Sequence, residues 1–297
     1  MNNLNKMTQK VSNIKLLSTF FLLWATSFLN PKFEDYMAYF MILTVGLLHG
    51  SNDIELLFKN LELKRSKSYL ILILYILMVL ITAFFFINIP SVMLIVFILF
   101  SAYHFGEQHF TRKINIHSPL REFFFLAYGL TLFFMLFATN SEDSIRIMGQ
   151  IGFSGVTELH FFVGLYISLG ATLIVGSILR LEKVLDTNVL HEIFLMFLFY
   201  LIFRLATLMW AFAIYFVIWH AYPSILDQMT YLKGRVNEKG FLQYLKSSLL
   251  YWMISVSGIL ILFLLTSRNS EMFNALFFTL IAAISFPHIF VMRKMNK

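Results

Sequence analysis

The sequence has no cysteine, which excludes disulfides, thiolate metal sites and cysteine nucleophiles. Any transition metal must therefore be held by nitrogen or oxygen. Charge is scarce too: 13% of the 297 residues are Asp, Glu, Lys or Arg, against roughly a quarter in soluble domains. So few polar groups cannot coat a water-facing surface. A disordered chain is excluded as well, because disorder needs low hydrophobicity and high net charge. What the chain does have is 59% apolar residues, 35 of all residues being Phe. This composition specifies an all-α polytopic membrane protein.

A bilayer core of about 30 Å takes roughly 20 apolar residues per helix. Apolar runs between charged or turn-forming residues give ten expected spans, near 16–30, 36–50, 69–88, 91–110, 121–138, 157–179, 190–204, 208–226, 245–266 and 272–291. The run 190–226 is split near Arg204–Thr207, since one helix of that length would overshoot the membrane. Asn88-Ile89-Pro90 turns the chain between the third and fourth spans, and Ser267-Arg268-Asn269-Ser270 separates the last two. The basic start followed by an apolar run resembles a signal peptide, but no small-residue cleavage site follows, so it reads as a retained first helix. There is no repeat and no loop long enough to fold alone, so residues 1–297 form a single transmembrane domain.

The net charge of +7 raises nucleic acid as a partner, and the distribution of charge removes it. With the N-terminus cytoplasmic, 19 of the 23 Lys and Arg fall on the cytoplasmic side. Only Lys32, Arg146, Arg204 and Arg268 fall on the other. This is the positive-inside bias, and it supports an even number of spans with both termini cytoplasmic. The expected location is the inner (plasma) membrane, with multiple passes.

Histidines inside a bilayer are costly and face a protein interior. His49, His104, His220 and His288 each lie about 12 to 16 residues into an even-numbered span, so all four fall roughly 18–24 Å below the outer face. One imidazole in a membrane helix is commonly an interhelical hydrogen-bond donor. Four at one depth, with no thiol present, point to a shared metal site. Asp53 follows His49 at i+4 and is expected to accept from its ring and fix the tautomer. Around His104 stand Glu107, Gln108 and a further imidazole, His109. His160 and His191 sit near helix starts and are expected at the interface, and His117 in a solvated loop.

Leu48-His49-Gly50-Ser51-Asn52-Asp53, Tyr103-His104-Phe105-Gly106-Glu107, Tyr215-Phe216-Val217-Ile218-Trp219-His220 and Phe286-Pro287-His288 resemble, in order and spacing, the Brp/Blh family. These are bacteriorhodopsin-related membrane β-carotene 15,15′-dioxygenases. The resemblance runs from about residue 40 to 291. It implies an integral membrane enzyme that splits the central double bond of β-carotene with O2, giving two retinal molecules that typically supply a microbial rhodopsin. It also implies Fe(II) bound by histidines, with His49, His104 and His220 matching three ligand positions. The family pattern has a further histidine where this chain has Ser224, and an aspartate where it has His109. The expectation is that His288 or His109 completes the shell, His288 being favoured by its depth, with Asp53, Glu107 and Ser224 just outside it.

Imidazole suits Fe(II). On this reading the protein sets ligand geometry and lays one bond of a lipid-borne carotenoid over the metal. Two other readings use the same residues: a metal or proton transporter, and a non-catalytic carotenoid-binding protein. Transporters usually show repeat symmetry and Gly/Pro-broken helices, neither of which is evident here.

Overall fold

Helix boundaries follow the capping chemistry written in the sequence. Asn30 accepts from the Phe33 amide at 3.0 Å and precedes Pro31, which starts α2 (Pro31–Met41). Proline also opens α6 (Pro90–Phe110) and α7 (Pro119–Thr139), where its missing N–H costs nothing. The remaining helices are α1 (Asn2–Thr26), α3 (Leu47–Gly50), α4 (Asp53–Asn60), α5 (Ser68–Asn88), α8 (Ser141–Ile151), α9 (Glu158–Leu181), α10 (Val189–Leu205), α11 (Leu208–Ile214), α12 (Tyr222–Lys233), α13 (Glu238–Thr266) and α14 (Ser270–Met295). Two π-helical turns interrupt them, Ile42–Gly46 between α2 and α3 and Tyr215–Ala221 between α11 and α12. This computed structural model describes residues 2–60, 68–114, 117–234, 236–266 and 270–295. Residues 267–269, expected between the last two spans, lie outside the described residues. So do Lys64, Arg65, Lys67, Arg235, Arg268 and Lys297 of the charges used for orientation.

The fold is all helical, and among the described residues it has no strand beyond one isolated bridge, Ile114 to Leu185. Seven of the described helices are long and apolar enough to cross a membrane: Tyr69–Asn88, Pro90–Phe110, Pro119–Thr139, Glu158–Leu181, Leu208–Lys233, Glu238–Thr266 and Ala275–Met295. Three of the ten expected spans fall short for identifiable reasons. The first half of α1 is polar, the stretch 31–50 is divided by its π turn, and α10 has 17 residues.

Leu208–Lys233 is the most buried of the seven, and α1, α2, α7, α10 and α13 are among the helices packed against it. Its start is fixed without proline or glycine: Thr207 caps α11, donates its amide to Glu34 at 2.8 Å and its hydroxyl to Asp35 at 3.1 Å. Two indoles then tie α1 to this central helix, Trp210 Nε1 to Thr26 at 2.8 Å and Trp219 Nε1 to Thr19 at 3.0 Å. On the outside, α5 exposes Ile73, Leu74, Leu80 and Phe84, as a lipid-facing surface would.

One seam is unusually tight. A Cβ at Gly106 of α6 would stand 2.0 Å from the Phe125 carbonyl oxygen, and one at Gly129 of α7 1.8 Å from that of Ala102. Only glycine permits α6 and α7 to meet at this distance. This seam brackets His104.

Candidate metal centre

Each of the four histidines from the common slab is brought in by a different element. His49 sits on α3 directly after the first π turn, and His220 lies within the second. A π turn adds a residue to the helical repeat and re-aims the side chains beyond it, and such turns collect at functional sites. His104 is on α6, opposite the tight seam, and His288 comes directly after Pro287 inside α14. All four are buried, between 2% and 6% exposed.

Their rings meet. Centroids lie 4.7 Å apart for His49 and His288, 5.2 Å for His49 and His220, 4.9 Å for His104 and His220, and 5.7 Å for His104 and His288. Ligand atoms of His49, His220 and His288 all lie within 4.8 Å of one another. A cation with nitrogen ligands at about 2.1 Å needs them no more than about 4.2 Å apart. Closing the difference takes side-chain movements of a few tenths of an ångström.

The polar atoms around the rings are divided in a way that fits a metal. His49 Nδ1 is bonded to the Gly46 carbonyl, and His288 Nδ1 lies 2.8 Å from Asp53 Oδ1. Each therefore keeps Nε2 for the centre. His288 Nε2 and both ring nitrogens of His104 are buried without a hydrogen-bond partner. His104, whose ring faces those of His220 and His288, is not among the three whose ligand atoms lie within 4.8 Å of one another, so it has further to move to join them. Buried polar atoms are nearly always satisfied, so these orphans call for an explanation. A cation coordinated by imidazole supplies it, and the donor set suits Fe(II), among other first-row metals.

The carboxylate beside the cluster serves a different ring from the one expected. Asp53 faces His288, not His49, because α3 ends at Gly50 and the Ser51-Asn52 turn breaks the i, i+4 register. Its second oxygen accepts from Tyr75 of α5 at 2.8 Å. A Tyr–Asp–His chain thus holds the tautomer and orientation of His288. Glu107 is buried with Oε2 4.0 Å from His104 Nδ1, beyond hydrogen-bond reach.

His109 and Ser224 do not join the four rings. His109 stacks on Tyr128, with centroids 5.1 Å apart, and lies 2.8 Å from Glu192. Lys113 Nζ also donates to Glu192, at 2.7 Å, making a separate polar cluster between α6 and α10. Burial pulls Lys113, in the connection after α6, below the ordinary lysine value, and Glu192 opposes that shift. Ser224 is fully buried and accepts from Gln228 Nε2 at 3.1 Å.

Two glutamines to which the sequence reading gives no role support the centre. Gln228 donates to the His49 carbonyl at 2.7 Å, and Gln108 to the His220 carbonyl at 3.0 Å. Helical irregularity frees carbonyls near both histidines, and the amides take them up. Tyr244 fixes Gln228 in turn, its hydroxyl 3.0 Å from Oε1. Tyr75 is a further supporting residue that the sequence reading does not single out, although a phenol inside the apolar run 69–88 is a usable signal. Of the other histidines, His160 caps the start of α9, His191 is half-buried near the start of α10, and His117 is exposed.

The four rings line a pocket together with Phe105, Phe133, Phe212 and Phe216. It adjoins a second that runs to α8, and Ile42, Phe97, Phe133, Phe212 and Ile281 line both. Among the described residues, Ser144 is the only polar side chain on the second cavity. Such a space binds an apolar molecule and excludes water.

The family model described as beta-carotene 15,15′-dioxygenase matches residues 40–296. Neither a curated protein nor a solved structure matches the chain.

Proposed function

The chain belongs to the β-carotene 15,15′-dioxygenase family, and on that premise we propose that it cleaves the central double bond of β-carotene with O2 in an iron-dependent reaction. One carbon–carbon double bond is lost and two carbonyls form, each taking one oxygen atom. The products are two retinal molecules, which would supply a microbial rhodopsin.

The observation that carries this reading is the convergence of four buried imidazoles, with unpartnered nitrogens, at the end of an apolar cavity. His49, His104, His220 and His288 would hold Fe(II), which when bound supplies the activation of O2. The chain's own tasks are binding and positioning. Asp53 and Tyr75 orient His288, Gln108 and Gln228 hold the backbone at His220 and His49, and the phenylalanine-rich walls align the polyene and keep water out. The overall reaction releases no proton, so it asks for no acid–base pair at the cavity. A lipid-borne substrate also accounts for a site among helices, entered laterally. The same proposal includes ten passes with both termini cytoplasmic, in the inner membrane. On this count α1, the stretch 31–50 and α10 complete the set as short or interrupted passes that lean on the central helix.

Expression in a β-carotene-accumulating bacterium tests the function. Retinal should appear and the orange colour fade. Purified protein should carry iron, and β-carotene that persists unchanged beside well-expressed, iron-loaded protein would refute the assignment.

A further inference from the structure

From the histidines the apolar space runs toward α8. Toward α8 it reaches Leu94 on α6, Leu208 on α11 and Phe277 on α14, which lie 10, 12 and 11 positions from His104, His220 and His288. At 1.5 Å per residue this arm is about 15 to 18 Å long. On the other side of the rings, Ser224, Gln228 and Tyr244 fill the space, all fully buried and hydrogen-bonded together. An end ring and the polyene up to the central bond span about 15 Å at bond lengths near 1.3–1.5 Å. The arm therefore holds one half of the substrate, and the other half must lie outside it.

From this we propose that the end wall built by α8 acts as a stop, so that its distance from the four histidines selects the bond that is cut. Ser144, Ile147, Met148 and Ile151 form that wall. α8 is short and amphipathic, capped at its C-terminus by Gly152 in the left-handed region (φ 98°). A ring seated against this wall leaves the central double bond at the imidazoles. Regioselectivity then comes from length measured from one end, not from recognition of the middle of a symmetric molecule. The inference rests on the carotenoid-cleavage reading and adds the specificity-determining residues.

The test uses β-apo-8′-carotenal, which has one ring and so one end able to enter ring-first. The wild-type protein should give retinal as its ring-bearing product. Met148→Ala removes side-chain length at the wall, lets the ring sit deeper, and should make an apocarotenoid longer than retinal the major ring-bearing product. Ser144→Leu fills the wall and should give one shorter than retinal. The replacement is tolerable because the Ser144 hydroxyl is buried without a partner, so no hydrogen bond is lost. Both variants yielding retinal alone, beside a wild type that cleaves, would overturn the stop.

A second readout does not depend on turnover. The chain has no cysteine, so Met148→Cys places a single thiol at the wall. In membranes stripped of metal, β-apo-8′-carotenal should slow its labelling by N-ethylmaleimide several-fold. Equal rates with and without the carotenoid would overturn the arm as a binding site. A wild type that cleaves no carotenoid, but whose Met148→Cys thiol is still protected, would defeat the proposed reaction and leave the arm standing as the carotenoid site.

Discussion

Adding one methyl group at Gly106 should disable the centre without touching a histidine. The new Cβ would lie 2.0 Å from the Phe125 carbonyl oxygen and 2.7 Å from its carbon, both backbone atoms of α7. Ordinary contact begins near 3.4 Å. No side-chain rotation relieves the clash, so α6 and α7 must part by about 1 Å or more, at an overpacking cost of about 1–3 kcal/mol. His104 stands two residues away on the same helix, its ring 4.9 Å from that of His220. Metal sites tolerate only about 0.2 Å in ligand distance, and a misplacement near 1 Å can lower a rate about 100-fold. Gly106→Ala should therefore lose most bound iron and about 100-fold of its retinal output while still inserting into the membrane. Gly129→Ala, whose Cβ would meet the Ala102 carbonyl oxygen at 1.8 Å, should behave alike. Gly149→Ala is the control, since nothing lies within 4 Å of its added Cβ. Iron per chain by mass spectrometry, retinal by chromatography and protein by immunoblot give the three readouts. Wild-type iron and retinal in Gly106→Ala would refute the argument that helix contact sets the ligand geometry.

Alanine at His49, His104, His220 or His288 should abolish both bound iron and retinal formation. A single replacement that retains full iron would remove that residue from the shell. Asp53→Asn leaves His288 in place without its carboxylate and should weaken iron affinity about 10- to 100-fold, measured by competition with a chelator. Tyr75→Phe, one hydrogen bond further out, should cost about 1 kcal/mol or less in the same assay. His109→Ala should keep full iron per chain yet lower thermal stability, because its contacts are with Glu192 and Tyr128; lost iron with unchanged stability would contradict that placement. Removing the metal should lower the unfolding temperature reversibly. Ligand at 100 times its dissociation constant contributes about 2.7 kcal/mol to the folded state, and Fe(II) should restore it.

The helical membrane class is legible in composition, and most spans in apolar run length, because both are local properties of the chain. The division at Arg204–Thr207 is located in the sequence by length alone, while the acidic side chains that fix it, Glu34 and Asp35, come from α2, more than 170 residues earlier in the sequence. The similar positions of the four histidines along their helices are legible because helical rise converts position into distance. The direction of each ring is not. The two π turns re-aim His49 and His220 in ways that no regular periodicity encodes, and the broken register at Ser51-Asn52 sends Asp53 to His288 across 235 positions. His109 shows the same limit, since five positions past His104 places it on another face of α6, and only packing against α10 gives it Glu192.

What the sequence decided by itself was solvent, segment length and donor chemistry: an apolar chain without thiols, carrying four imidazoles on separate apolar segments. What tertiary structure alone decided was which groups face one another and how much space lies between them, because ring contact, the α6–α7 contact and an apolar cavity arise only when separate helices are packed.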